Sequence, residues 1–233
     1  MDLSMHAQAR LAVAAAAQDL SDRARSLVTV HPDDTRELVE LAHQLVQQAE
    51  EIQLLAVTAA REAGVSWQDV GQQLGDVTKQ SAHARFASGV EEVRERIIFP
   101  GREGSAGSPG WWACPDGLED PKRTLRRLDA WSARHRERTD PKRDEAPVSA
   151  GIHAINDTHP GISGIALVTD LAKRLVDRQL PDGVTEEDAR VLLAQAKVRT
   201  YDRIAATTSG LRADEARTLA QHARNELAHL ERA

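Results

Sequence analysis

Apolar residues recur at steps of three and four along most of this chain, which is the spacing that lines one face of an α-helix. Between Gln8 and Leu27 the candidates for a buried stripe are Leu11, Ala14, Ala15, Leu20, Ala24 and Leu27. His31-Pro32-Asp33-Asp34 breaks that helix, and Asp33 or Asp34 can cap a second one. The second pattern runs through Leu38, Leu41, Ala42, Leu45, Ala49, Ile52, Leu55, Ala56 and Ala59 before Gly64 ends it. At about thirty residues it is longer than an average globular helix, so it has room to pack the first helix at one end and the following segment at the other.

That following segment has two short helical patterns joined by a tight turn. Ser66 can cap the first by accepting from the backbone N–H near Asp69, and Trp67, Val70 and Leu74 give it one apolar stripe. Gly71 sits where a Cβ would obstruct close packing, and Gly75 is placed as the residue that ends the helix. Val77 then returns an apolar side chain to the core, and Thr78 can cap a second helix that starts at Lys79. In this second helix Ala82 and Phe86 point inward, with Val90, Val93 and Ile97 continuing the stripe until Pro100. Lys79, Gln80, Ser81, His83 and Ala84 are left facing out.

Ala60 to Ala87 resembles the helix-turn-helix DNA-binding proteins, in the sigma-region-four-like form whose first helix reads x-[IV]-G-x-x-[LF]-G. The matching residues are Val70, Gly71, Leu74 and Gly75, followed by Val77-Thr78-Lys79-Gln80 and closed by Arg85-Phe86. Asp76 departs from the pattern, since it stands between the turn glycine and Val77. It lengthens the turn by one residue and brings a negative charge close to where phosphates would lie. The resemblance implies a reader at residues 66–87 whose helix 79–87 enters the major groove of double-stranded DNA, with Lys79, Gln80, Ser81 and His83 on base edges and Thr78 and Arg85 on phosphates. The alternative for the same residues is a helical hairpin that packs like a reader and binds nothing.

Past residue 98 the periodicity stops. Phe99 to Asp120 is a Gly- and Pro-rich linker that contains the pair Trp111-Trp112, either an anchor on a neighbouring core or a partner-binding knob. A basic helix is expected over residues 121–139, with Leu125, Leu128 and Trp131 on one side and Arg123, Arg126, Arg127 and Arg134 among those around the rest. These four arginines either contact phosphates beside the reader or pair with acidic faces of the chain itself. Asp140 to Pro160 reads as a polar connector. Residues 161–233 then form a C-terminal helical unit. Its first helix, Gly164 to Arg178, buries Ile165, Val168, Leu171, Ala172 and Leu175. Pro181-Asp182-Gly183 turns the chain, and Thr185 caps a helix bearing Val191, Leu192, Ala196, Val198, Tyr201 and Ile204. After a break at Ser209-Gly210, a last helix carries Leu219, Ala223, Leu227 and Leu230 on one stripe with Ala216 and Ala220 beside it. The expected organisation is thus a DNA-binding domain over 1–98, a linker region with the basic helix over 99–160, and an interaction or dimerisation unit over 161–233.

Composition agrees with an all-α fold. Hydrophobic residues make up 41% of the 233 and aromatics 3%, so cores must be built from Ala, Leu and Val, and the residues that strands favour are scarce. The lone Cys114 excludes an internal disulfide framework and a multi-cysteine zinc site, and no apolar run is long enough to cross a bilayer, which together point to a cytoplasmic protein without membrane contact. The formal net charge of −6 argues against general attraction to nucleic acid, but charge is unevenly spread. Lys122 to Arg143 holds nine Lys or Arg against three Asp or Glu, a local excess of six, so the rest of the chain carries −12. Five Lys among thirty basic residues is the usage of a GC-rich bacterial coding sequence.

Enzyme signatures are absent from the sequence. It has no phosphate-binding Walker loop, dinucleotide glycine fingerprint, HExxH pair or GxSxG elbow, and no catalytic residue, cofactor or metal is expected. His153, Asp157 and His159 lack a helix register or a firm third ligand, and His222 and His229 are two turns apart. The sequence therefore favours a sequence-specific DNA-binding protein, a bacterial transcription regulator that works as a homodimer. The competing classes are an α-helical adaptor or scaffold with a degenerate helix-turn-helix, docking a protein partner through Trp111-Trp112 or the C-terminal helices, and a plasmid or phage DNA-maintenance adaptor.

Overall fold

The computed structural model describes residues 3–29, 35–99, 120–135, 146–158 and 162–232. Every regular element among them is an α-helix. In chain order these are α1 (Met5–Thr29), α2 (Thr35–Glu62), α3 (Trp67–Gln73), α4 (Lys79–Ile98), α5 (Pro121–His135), α6 (Pro147–Thr158), α7 (Ile162–Asp177), α8 (Glu186–Thr207) and α9 (Leu211–Leu230). The chain divides into two compact units, with the division falling after Met5 in α1 and after Ala154 in α6. The linker 100–119 with Trp111, Trp112 and Cys114, residues 136–145, and His159 with Pro160 lie outside the described residues.

In the first unit the start of α1 is largely buried, at Ala7, Ala9, Leu11, Ala12, Ala15 and Ala16, with Arg10 left exposed. Further along it becomes polar, and its contacts become hydrogen bonds. Arg23 Nη1 donates to Gln44 Oε1 of α2 at 3.1 Å, and Trp131 Nε1 of α5 donates to Asp22 Oδ1 at 3.2 Å. Ala24, expected in the stripe, is exposed in this polar part. The second half of α2 packs on α3 and α4. Arg94 of α4 lies 2.9 Å from Glu62 of α2 in a half-buried ion pair that closes the far side of this packing.

Helix α6 stands where a polar connector was expected. Pro147 opens it, at a position whose N–H would have no helical partner in any case. Its N-terminus is capped from another helix, by Asp129 of α5, whose Oδ1 accepts from the Val148 and Ser149 amides at 2.8 and 3.1 Å. The Ser149 hydroxyl donates to the other oxygen of the same carboxylate. A cap supplied twenty residues away leaves no local signature, which is why the segment reads as loop.

The second unit is built on α8 and α9, which pack along their length, with α7 against α8. Thr185 and Asp188 form a reciprocal capping box at the start of α8, and the hydrogen bonds from Thr185 hold the Asp188 carboxyl below its ordinary range. The buried stripe of α9 is Ala213, Ala216, Ala220 and Ala223, so the expected leucine stripe is displaced: Leu219 is 44% exposed. Leucine in place of the buried alanines of α9 would hold that helix off α8. On α8 the buried residues are Ala189, Leu193, Ala194, Ala196 and Thr200, of which Thr200 meets α7. Ile165 of α7 is likewise outside the core at 51% exposure. Beside it, Gly164 lets α7 approach Thr200 so closely that a Cβ there would lie 2.6 Å from the threonine hydroxyl.

Candidate nucleic-acid interface

The corner between α2 and α3 is set by Gly64, whose φ of +85° is left-handed backbone open to glycine at no steric cost. It lets the Val65 amide reach back to the Ala60 carbonyl at 3.0 Å and ends α2. Ser66 then caps α3, its hydroxyl accepting from the Asp69 amide at 3.2 Å as the sequence predicts. The inserted Asp76 is accommodated by a second left-handed residue, with φ of +93° at Gly75 followed by +60° at Asp76. These two successive turns bring the Val77 amide to the Gly71 carbonyl at 3.0 Å. Gly71 is required by that closure, since a Cβ on it would run into the Val77 carbonyl. The longer turn also changes the fate of Val77, which is 40% exposed rather than returned to the core: its backbone, not its side chain, seals the joint.

Val57 of α2, Val70 of α3 and Ala82, Phe86 and Val90 of α4 form one buried cluster, flanked by Leu54, Trp67 and Leu74. With α4 fixed along this stripe, its opposite side is exposed and carries Lys79, Gln80, Ser81, His83, Ala84 and Arg85, the set the helical register places there.

The exposed residues differ in how they are held. Thr78 is the cap of α4: its hydroxyl oxygen accepts from the Ser81 amide at 3.2 Å and its proton goes to the Ser81 hydroxyl at 3.0 Å. Arg85 turns back along its own fold, with Nη2 donating to Gln53 Oε1 of α2 at 3.2 Å and the guanidinium over the Phe86 ring at 4.9 Å. The His83 ring meets Trp67 edge-on, with centroids 5.2 Å apart and planes 71° to one another. The Arg61 guanidinium in turn lies over the same indole at 4.8 Å, and its Nη1 donates to the Val65 carbonyl. The sequence reading gives Trp67 only a core role and gives Arg61 and Gln53 none. The signal for Gln53 and Arg61 is that both lie in the last turns of α2, which pack on α3 and α4.

On α5, Leu125 and Leu128 are buried, as expected, together with Thr124. Arg123, Arg126 and Arg134 are exposed, whereas Arg127 is half-buried and engaged within the fold. Glu51 of α2, 8% exposed, is the one acidic side chain among the buried polar residues described. Burial pushes its carboxyl up to about 7, Asp19 adds to the rise, and Arg96 and Arg23 oppose it.

Among the described residues no group of three or more His, Cys, Asp or Glu could hold a metal ion, and no helix is long and apolar enough to cross a membrane. No protein-family model, curated protein or solved structure matches this chain.

Proposed function

We propose that the chain is a sequence-specific double-stranded DNA-binding protein, a transcription regulator, in which α3 and α4 act as a helix-turn-helix and α4 enters the major groove. The observation that carries this reading is the division of α4. One side is locked to α2 and α3 through Ala82, Phe86 and Val90, and the other presents Lys79, Gln80 and His83 to solvent with no large apolar residue among them. Such a helix can approach base edges without burying an unsatisfied apolar surface, and its side chains supply the donors and acceptors that base edges pair with. Thr78 and Ser81, bonded to each other at the cap, would place their hydroxyls near the backbone of the groove. Arg85 would have to leave Gln53 to reach a phosphate. Arg123, Arg126 and Arg134 supply exposed positive charge suited to phosphate contact. Exposed apolar residues of the second unit, Ile165 on α7 and Leu219 on α9, suit a homodimer or partner contact.

The test is selection of the purified full chain against pooled genomic fragments at two salt concentrations. A DNA reader retains a common sequence at the higher salt while non-specific fragments are lost, because phosphate contacts weaken steeply with salt and base contacts do not. Recovery without a shared sequence, or no recovery at low salt, removes the reading and leaves the adaptor class.

A further inference from the structure

We propose that Trp67 is a positioning residue for DNA sequence readout: it holds the His83 imidazole beside the start of α3 so that one ring nitrogen is aimed at a single base pair. This rests on the reading of α4 as the groove-entering helix.

An exposed histidine on a helix samples several rotamers, and ordering it on DNA costs free energy that subtracts from any base contact. Here the ring is already placed, edge-on to Trp67 at 5.2 Å between centroids. Trp67 is itself fixed in two ways. Its body packs beside the Val57, Val70 and Phe86 cluster, and the Arg61 guanidinium lies over its indole at 4.8 Å. Arg61 is anchored in turn to the Val65 carbonyl at the α2–α3 corner. The chain of contacts therefore runs from the end of α2, through the first residue of α3, to the exposed side of α4. Ring contacts of this geometry are favourable beyond the area they bury, and the cation over the indole adds to the rigidity of the platform.

His83 follows Lys79 by four residues and Gln80 by three, so the three share one side of α4. An imidazole N–H held there suits a major-groove acceptor such as a purine N7 or guanine O6. Trp67 touches no base in this scheme; it acts through His83.

The experiment uses the full chain and the duplex recovered by genomic selection, with every single-base-pair variant of that duplex. His83→Ala should lose discrimination at one base pair by on the order of tenfold. Trp67→Leu should lose discrimination at the same base pair, and the double variant should lose no more than either single one. Trp67→Phe, which keeps a ring, should restore most of the discrimination. In the free protein, the ring-proton signals of His83 should shift in Trp67→Leu as the ring current is lost, which reads the contact without DNA.

A purely structural role for Trp67 gives a different result: affinity falls equally on all duplexes, tracks the melting temperature, and leaves base preference intact. That outcome, additive losses in the double variant, or losses at different base pairs overturns the proposal while leaving DNA binding standing. Unmoved His83 signals in Trp67→Leu overturn it in the free protein. Failure of the unaltered chain to select any sequence overturns the DNA reading and this inference with it.

Discussion

The α2–α3–α4 assembly and the α8–α9 pair are both helical and both carry an ion pair between helices, yet their cores are filled in opposite ways. In the first, side chains of very different size fill an irregular space: Phe86 and Trp67 beside Val57, Val70 and Ala82. In the second, the buried stripe of α9 is alanine throughout, and the rims are tied by charge. Lys197 reaches Glu226 at 3.0 Å, and Arg224 holds both oxygens of Asp202 at 2.6 and 2.7 Å. The contrast shows where each region keeps its polar groups. The α8–α9 pair uses them along both rims to bridge its own helices, whereas α4 bridges to α2 through Arg85 and Arg94 and still keeps Lys79, Gln80 and His83 on an exposed face.

The largest effect expected from this contrast is at Phe86. Phe86→Ala should destabilise the first unit by about 3 to 5 kcal/mol, since a buried ring is removed from a cluster that a small residue cannot refill. Amide hydrogen exchange across α2, α3 and α4 measures it, and protection left unchanged would show that the cluster does not hold the assembly. Charge gives the next test. Glu51 is pushed up to about 7 by burial, so its neutral form is the one the fold accepts. The stability it contributes is complete below about 4.5 and is lost as pH rises through about 7. Glu51→Gln should therefore match the parent near pH 4.5 and exceed it at pH 8 by at most about 3 kcal/mol. Denaturant titrations at the two pH values check the sign, and a variant weaker at pH 8 would mean that Arg23 and Arg96 outweigh the burial. On the second unit, Asp202→Asn breaks an exposed pair and should cost under about 1 kcal/mol. Ala220→Leu, which forces α8 and α9 apart, should cost about 1 to 3 kcal/mol. If the ion pair proves costlier than the overpacking, the alanine contact is not what holds this pair together.

How much of this was legible in the sequence depended on whether the signal was local. Ser66, Thr78 and Thr185 cap the helices they precede, and Ala82, Phe86, Val90 and Val93 lie on the buried side of α4, because caps and helical registers are written within a few residues. The all-α architecture follows from the same local patterns. What periodicity misreads are positions decided by a partner. Leu219 looks like core until the approach of α8 selects the alanines instead, and α6 looks like loop until Asp129 arrives to cap it. The outward register of α4 is legible, but the contact of Trp67 with His83 requires the angle between α3 and α4. That angle is fixed by Gly71 and the two left-handed residues of the turn.

The smallest expected effect on stability separates the turn's geometry from its charge. Asp76 occupies left-handed backbone, a region that Asn and Asp enter more readily than other side chains do. Asp76→Asn therefore keeps the φ, the amide that closes on Gln72 and the side-chain size, and should leave the melting temperature nearly unchanged. On the proposed reading it removes a negative charge from the turn that leads into the groove-entering helix. Affinity for specific and scrambled duplexes should then rise together while sequence preference stays fixed, because repulsion of phosphate carries no information about bases. Asp76→Val supplies the opposite control: it also removes the charge, but its branched side chain resists left-handed backbone, so it should lower stability by on the order of 1 kcal/mol or more. Equilibrium binding on both duplexes, with melting curves for both variants, tells the effects apart. If Asp76→Asn weakens binding at unchanged stability, the carboxylate orients α4 for the groove and does not repel the backbone.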